Sequence, residues 1–130
     1  MNVIFYSSSI DEKTKEICGG LENSHREVGL ELHHSISSLE NRFRQLSQGI
    51  ALLILYISDK SDLSDLLALQ ELIIGLPLIL IMIDTRGEAM RKARLLRPRI
   101  IFGTNDNLEN MYLVCDKMLA RQKQLWAMAM

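Results

Sequence analysis

Residues 50–57 read Ile-Ala-Leu-Leu-Ile-Leu-Tyr-Ile, an unbroken apolar run near the middle of the chain. A strand with one solvent-facing side alternates apolar and polar side chains, whereas this run is apolar at every position. Such a strand needs cover on both faces, which is typical of a central strand in a parallel sheet with helices on both sides. The run therefore predicts the centre of an α/β domain.

The rest of the chain predicts strands and helices in alternation around this run. The predicted strands cover 3–6, 30–34, 50–57, 78–83 and 99–102. The predicted helices cover 11–28, 37–48, 61–75 and 88–96, with a last helix from about 106. Strict alternation of this kind is typical of a parallel sheet with right-handed crossovers.

The strand order 2-1-3-4-5 fits the hydrophobic pattern. It places the three most apolar strands inside the sheet and leaves the alternating strand over 30–34 on an edge. It also sets the helix over 61–75 between two other helices, which explains why that helix is apolar nearly all round. The sequence therefore predicts a three-layer α/β fold with a doubly wound, flavodoxin-like, five-stranded parallel sheet.

Local residues predict where several helices begin, end and pack. Gly29 suits the C-terminal cap of the first helix, and Ser61-Asp62 suits the N-terminus of the third. Asn105 or Asp106 is expected to cap the last helix. Gly19-Gly20 lies inside the first helix, where small residues would allow a close approach to the sheet.

The composition is that of one globular domain. The chain has 130 residues, of which 48% are hydrophobic and 24% charged. Its net charge of −1 creates no global field that favours nucleic acid or an acidic membrane. Cys18 and Cys115 lack metal-ligand spacing, and the first strand leaves no room for a signal peptide. The longest apolar run is too short to cross a bilayer. The two cysteines suit a reducing compartment, so we expect a cytoplasmic protein.

Polar residues follow the strands at the carboxyl edge of the predicted sheet, where ligands bind in this class of fold. The candidate set is Ser7, Ser8, Ser9, Asp59, Asp84, Thr85 and Thr104. The three serines lie between a strand and a helix N-terminus, where an anion could bind. No glycine accompanies them and Asp11-Glu12 follows, so we favour a capped helix entry over a phosphate or flavin site.

Three carboxylates of this edge, those of Asp11, Asp59 and Asp84, could collect a hard cation. Capping and turn roles are the simpler interpretation, and we favour them. His33-His34 ends an edge strand, where adjacent side chains point to opposite faces and cannot easily share one metal. The sequence therefore predicts no catalytic residue, no metal site and no cofactor.

The length, the order of the elements and the phrase Val28-Gly29-Leu30-Glu31 are similar to the receiver domains of two-component response regulators. The resemblance covers nearly the whole chain, from about residue 3 to about residue 119. It implies a signalling domain with a phosphorylation site. That site would comprise two acids after the first strand, an aspartate after the third, Thr or Ser after the fourth and a lysine after the fifth. These groups hold Mg²⁺ and neutralise charge on the transferred phosphoryl group.

The chain departs from that set at most of its positions. Tyr6-Ser7 or Ser7-Ser8 stands where the acidic pair is expected. Ser58 ends the third strand, and Asp59 becomes the acceptor only after a slip of one residue. Thr85 is a fair match, but Thr104 follows the fifth strand where the lysine is expected.

These departures indicate a degenerate, or pseudo-receiver, domain. The resemblance then implies a non-catalytic signalling or protein-interaction domain rather than an enzyme. The alternative is a small-ligand, nucleotide or metal-binding flavodoxin-like protein that uses the carboxyl edge of the sheet.

Six basic residues crowd into positions 86–99, and in receivers the surface of the fourth helix, fifth strand and fifth helix is the usual docking face. We predict four of them as partner-binding residues: Arg91, Lys92, Arg94 and Arg97. A basic patch there could steer an acidic partner. A solvated helix face is the plain alternative. Nucleic-acid binding is less favoured, because only Phe102 among the aromatic residues accompanies the cluster.

The end of the chain carries the last candidate surface. We expect residues 1–121 to form the domain and residues 122–130 to extend its last helix. This extension holds Leu125 and Trp126, the only tryptophan, which would be costly to leave in water. We therefore predict a protein partner, either another protein or a second copy in a homodimer through the last helix. A tail that folds back on its own domain is the alternative.

Overall fold

The computed structural model describes residues 2–24, 29–45 and 49–129. The strands are β1 (Asn2–Ser7), β2 (Gly29–His33), β3 (Ile50–Ile57), β4 (Leu78–Met82) and β5 (Ile100–Gly103). The helices are α1 (Glu12–Ser24), α2 (Ile36–Gln45), α3 (Lys60–Leu67), α4 (Gln70–Ile73), α5 (Gly87–Ala93) and α6 (Leu108–Ala129). A 3₁₀ turn, Arg94–Leu96, continues α5.

The sheet is parallel throughout, in the order β2-β1-β3-β4-β5. This order confirms the predicted fold class. All eight residues of β3 are buried, because β1 and β4 pair with it on either side and helices cover both of its faces. β2 lies on an edge and is only partly buried, as its alternating sequence predicted.

The sheet separates two hydrophobic cores. Side chains alternate along each strand, so that β3 sends Leu53 and Leu55 into one core and Leu52 and Ile54 into the other. The first core lies under α2, α3, α4 and α5, and the second lies under α1 and α6. α5 and α6 therefore flank the edge strand β5 from opposite faces of the sheet.

The prediction of one continuous helix over 61–75 is wrong. The segment is divided at Ala68–Leu69 into α3 and the one-turn α4. Gln70 Nε2 then donates to the carbonyl oxygen of Leu95 at 2.9 Å, which ties α4 to the 3₁₀ turn after α5. The turn at 68–69 places Gln70 within hydrogen-bonding distance of Leu95.

Two predicted caps are also wrong. Gly29 begins β2 and pairs there with Asn2. Asp59 caps α3, two residues before the predicted Ser61-Asp62. Asn107 caps α6 by accepting from the backbone N–H of Glu109 at 2.9 Å. The predicted ends of the first two helices, over 25–28 and 46–48, lie outside the described residues.

Gly20 packs against α6 instead of against the sheet. The Tyr112 hydroxyl occupies the space that a Cβ at position 20 would need, whereas a Cβ at Gly19 would meet nothing within 4 Å. The same hydroxyl donates to the carbonyl oxygen of Glu16 at 3.4 Å. The glycine therefore sets how closely α1 and α6 approach each other.

α6 is the longest element of the domain. Its 22 residues reach about 33 Å at 1.5 Å per residue, whereas β5 beside it has 4 residues. α6 runs from Leu108 to Ala129 and so passes residue 122. Within the part of the chain that the structure describes, no helix combines the length and hydropathy needed to span a membrane.

Candidate functional site

The carboxyl ends of the strands meet at one edge of the sheet, as predicted, and the end of β1 is closed there. Ser7 is fully buried, and its hydroxyl donates to the carbonyl oxygen of Ser9 at 2.6 Å. The Ser7 Oγ also lies 3.1 Å from the Oγ1 of Thr14 in α1. Ser8 is exposed and makes no side-chain hydrogen bond with any described residue. The Ser7 hydroxyl is thus engaged within the turn and with α1.

Asp11 caps α1. Its Oδ1 accepts from the backbone N–H of Thr14 at 2.7 Å, which confirms the capped helix entry. Its Oδ2 accepts from the Tyr56 hydroxyl at 3.4 Å. The hydrogen bond from Thr14 lowers the pKa of the Asp11 carboxyl, and burial followed by the Asp11 charge raises the pKa of Tyr56.

The end of β3 holds two carboxylates with reciprocal capping roles. Asp59 Oδ1 accepts from the backbone N–H of Asp62 at 2.8 Å. Asp62 is buried, and its Oδ2 accepts from the backbone N–H of Ser58 at 3.1 Å and from the Ser58 hydroxyl at 2.6 Å. Burial, and then the charge of Asp62, raises the pKa of nearby Tyr6 to about 12. Both carboxylates therefore stabilise the first turn of α3.

The ends of β4 and β5 use their carboxylates in the same way. Asp84 Oδ1 accepts from the backbone N–H of Arg86 at 3.0 Å. Asp106 Oδ2 accepts from the backbone N–H of Gly103 at 2.6 Å. Thr85 is exposed beside Gly103, and the backbone N–H of half-buried Thr104 donates to the carbonyl oxygen of Met82 at 3.1 Å. No lysine side chain is found among these contacts.

The edge also contains a cleft between α3 and α5. Its volume is about 210 Å³, and Ile57, Leu63, Met82 and Ala89 form its apolar floor. Small-molecule sites typically enclose about 300–1,000 Å³, so this cleft is small for a nucleotide. Over residues 2–24, 29–45 and 49–129, no three His, Cys, Asp or Glu side chains lie close enough together to hold a metal ion.

The structure divides the predicted basic cluster. Lys92 lies toward α3, beside the cleft, and its Nζ is 3.7 Å from Glu88 Oε1. Four basic side chains of the cluster are exposed and make no ion pair with any residue that the structure describes: Arg91, Arg94, Arg97 and Arg99. Arg94 follows Lys92 by two residues and so points to the opposite side of the helix, toward β5. Arg97 has a φ of 56° in the left-handed region.

One exposed flank of the α6 tail, which we call the α6 groove, borders an open space of about 520 Å³. Its lining comprises Lys117, Ala120, Arg121, Gln124, Leu125 and Met128. Leu125 is 46% exposed and Met128 is 82% exposed. Trp126 is half-buried, because it continues the inward-facing stripe of Met111, Cys115 and Leu119.

Sequence reasoning missed Asp62 and Thr14 as members of this edge. The position of Asp62, three residues after Asp59, is a capping-box spacing that could have identified it. The sequence carries no signal for Thr14 at this edge, because its contact with Ser7 depends on how α1 packs on the sheet.

No protein-family model matches the chain, and no curated protein sequence matches it either. Solved structures do match it. The signal receiver domain of an HD domain-containing protein from Pseudomonas fluorescens superposes with a TM-score of 0.70, covering 97% of this chain and 91% of that chain at 11% identity. A CheY-like receiver domain protein from Methanospirillum hungatei gives 0.69, covering 95% and 96% at 10% identity.

A response regulator receiver protein from Burkholderia phymatum is similar too, with a TM-score of 0.62, coverage of 92% and 96%, and 11% identity. Likeness at such identities concerns the fold. The chain therefore has the receiver-like form of the flavodoxin fold, as its element order predicted.

Proposed function

We propose that this chain is a non-catalytic interaction domain that works in signalling, as a receiver without the usual phosphorylation site. One observation supports this most: the carboxylates at the carboxyl edge are engaged as caps and turn acceptors, opposite a buried Ser7. A Mg²⁺-dependent phosphoryl transfer needs carboxylates that are free to bind the cation and an acceptor. Here Tyr6 and Ser7 supply hydroxyl groups at the position of the acidic pair, and hydroxyls are poor Mg²⁺ ligands beside carboxylates.

The test is incubation with acetyl phosphate and Mg²⁺, followed by intact-mass measurement. We expect no phosphoryl adduct on the wild-type chain. Asp59→Asn is the matched control, because asparagine caps a helix about as well as aspartate and leaves the fold intact. An adduct on the wild type that is absent from Asp59→Asn would overturn the proposal.

A second candidate function is binding of a small ligand at the carboxyl edge, without catalysis. The cleft between α3 and α5 favours it, since Ser58, Asp59, Lys60 and Asp84 surround an apolar floor. A thermal-shift screen with flavin mononucleotide, adenine nucleotides and divalent cations tests this. A rise of several degrees that follows mass action with one of these compounds would favour the ligand-binding function.

The partner we propose is a protein, which meets the domain through Arg91, Lys92, Arg94, Arg97, Leu125 and Trp126. The tail predicts either another protein or a second copy, and a second copy would form a homodimer through residues 122–130. Mass in solution, with and without those residues, tests it. A mass of one chain in both cases would contradict the homodimer.

The compartment we propose is the cytoplasm. Cys18 and Cys115 are free and buried, and burial raises their pKa values to about 11 and about 12. Thiols of this kind are structural and unreactive, and free cysteines suit a reducing compartment.

A further inference from the structure

The outer side of α6 and the arginines around β5 form one surface, which we call the basic face. We propose that the basic face binds an acidic, amphipathic helical segment of another protein, whose apolar side chains enter the α6 groove. The inference rests on the proposed function and adds the chemistry of the partner. The basic face comprises Arg94, Arg97, Arg99, Lys117 and Arg121, together with Leu125 and Met128 in the groove.

The topology brings these residues to one side of the domain. β5 is an edge strand, with α5 on one face of the sheet and α6 on the other. Tyr112 shows which side of α6 meets α1, because its hydroxyl contacts Gly20 and Glu16. Lys117 and Arg121 lie on the other side of the buried stripe from Tyr112, at about 100° per residue. They therefore face away from α1, on the β5 side.

The charge on this surface is of one sign and is not used within the domain. Arg94, Arg97 and Arg99 make no ion pair within the described ranges, and neither do Lys117 and Arg121. The chain as a whole has a net charge of −1, so the positive charge of this face is local to it. A single-sign patch attracts and orients a partner of opposite charge.

The groove suits side chains of a helix rather than a small molecule. Its lining residues all belong to α6 and leave it open to solvent, whereas a small-molecule site typically buries about 70–90% of its ligand. Leu125 and Met128 are three residues apart and exposed along it, the spacing at which an amphipathic helix places its own apolar side chains. An acidic partner helix would bury these side chains and place carboxylates beside Lys117 and Arg121.

Two other occupants fit less well. A second copy would bring like charges together across the two-fold axis, which is unfavourable. Nucleic acid would use the positive charge but leave Leu125 and Met128 without apolar partners. We therefore favour the acidic protein segment.

The test uses Trp126, the only tryptophan, which lies next to Leu125 and reports binding through its fluorescence. The probe is a synthetic helical peptide of about 18 residues with leucines at i, i+3, i+4 and i+7 spacing and glutamates elsewhere. A second peptide has lysine in place of every glutamate. We expect saturable binding of the glutamate peptide, weaker at high salt, and none of the lysine peptide.

Paired variants locate the site. Lys117→Gln with Arg121→Gln is expected to raise Kd about tenfold, since each exposed charge contact contributes modestly. Lys15→Gln with Arg44→Gln removes the same charge from α1 and α2 and should leave Kd within about twofold. Leu125→Ser should also weaken binding, whereas Ile10→Ser, at a position that is 63% exposed before α1, should not.

Each other outcome would overturn the inference. Absence of glutamate-peptide binding, equal binding of both peptides, or equal loss in the control variants would do so. Duplex DNA binding that Lys117→Gln with Arg121→Gln abolishes would assign the face to nucleic acid. A dimer that Leu125→Ser dissociates would assign the groove to a second copy. Failure here is distinguishable from failure of the proposed function, which the phosphorylation assay tests separately.

Discussion

The carboxyl edge and the basic face contain similar numbers of charged side chains but use them in opposite ways. At the carboxyl edge, Asp11, Asp59, Asp62, Asp84 and Asp106 each accept a hydrogen bond from a nearby backbone N–H. On the basic face, the arginines and Lys117 are exposed and make no ion pair with the described residues. A carboxylate that accepts hydrogen bonds within the domain stabilises the fold, whereas an exposed basic side chain without an ion pair is available to bind a partner.

The largest expected effect comes from Asp62, the buried carboxylate of the closed edge. Asp62→Ala leaves the backbone N–H of Ser58 without its acceptor, which should cost about 2 kcal/mol of unfolding free energy. Urea denaturation measures it. Asp65→Ala, at an exposed position of the same helix, is the control and should change stability by less than about 0.5 kcal/mol. Equal losses would show that the Asp62 bonds contribute nothing.

The second effect concerns the side of α6 that is packed against α1, which contrasts with the exposed side of the same helix. Gly20→Ala should lower the unfolding free energy by about 1 kcal/mol, because the new methyl group displaces the Tyr112 ring. Gly19→Ala is the matched control, and it should raise the unfolding free energy by up to about 1 kcal/mol through helix propensity alone. Effects of the same sign at both glycines would contradict the close contact.

The third effect tests whether the basic face is unnecessary for folding. Arg97→Gly should raise the unfolding free energy by about 0.5 kcal/mol, since glycine adopts a φ of 56° without strain. Arg94→Gly removes the same charge from a residue in helical conformation and should lower it by about 1 kcal/mol. If both variants lost stability equally, the Arg97 side chain would stabilise the fold and its charge would not be free for a partner.

The smallest effect is on the free energy of unfolding at acidic pH. Because the pKa of Asp11 is lowered in the folded state, its contribution is present above its ordinary pKa of 3.8 and is lost as the pH falls through the lower folded value. Asp11→Asn should therefore be slightly less stable than the wild type at neutral pH. Thermal unfolding from pH 7 to pH 2 measures the difference. The two curves should converge at the acid end, and a constant gap would contradict the role of the charge.

The sequence was sufficient for the architecture because each strand carries its own burial pattern. Residues 50–57 could only be central, and Leu30 to His34 could only be an edge. It was not sufficient for the caps of α3, because Ser58, Asp59, Ser61 and Asp62 are all good capping residues within five positions. Only the direction in which the chain leaves β3 chooses among them.

Two other features depended on distant parts of the chain. The break between α3 and α4 contains no glycine or proline, and the contact of Gln70 with Leu95 spans 25 positions. Gly20 and Tyr112 are farther apart still in the sequence. The residues around Gly20 therefore could not indicate which helix it packs against. The roles of the basic cluster were hard to predict for the same reason, since Lys92 and Arg94 differ only in direction.

The sheet that separates the two cores has a mechanical consequence at β5. α5 and α6 belong to different cores, and between them stands an edge strand of four residues, held by hydrogen bonds on one side only. We expect such a strand to lose its hydrogen bonds before the inner strands do. A ligand that contacted both the arginines after α5 and the groove of α6 would hold these two elements together and stabilise β5 between them. Slower amide hydrogen exchange in Ile100–Gly103 would then accompany binding, at residues that the ligand need not touch.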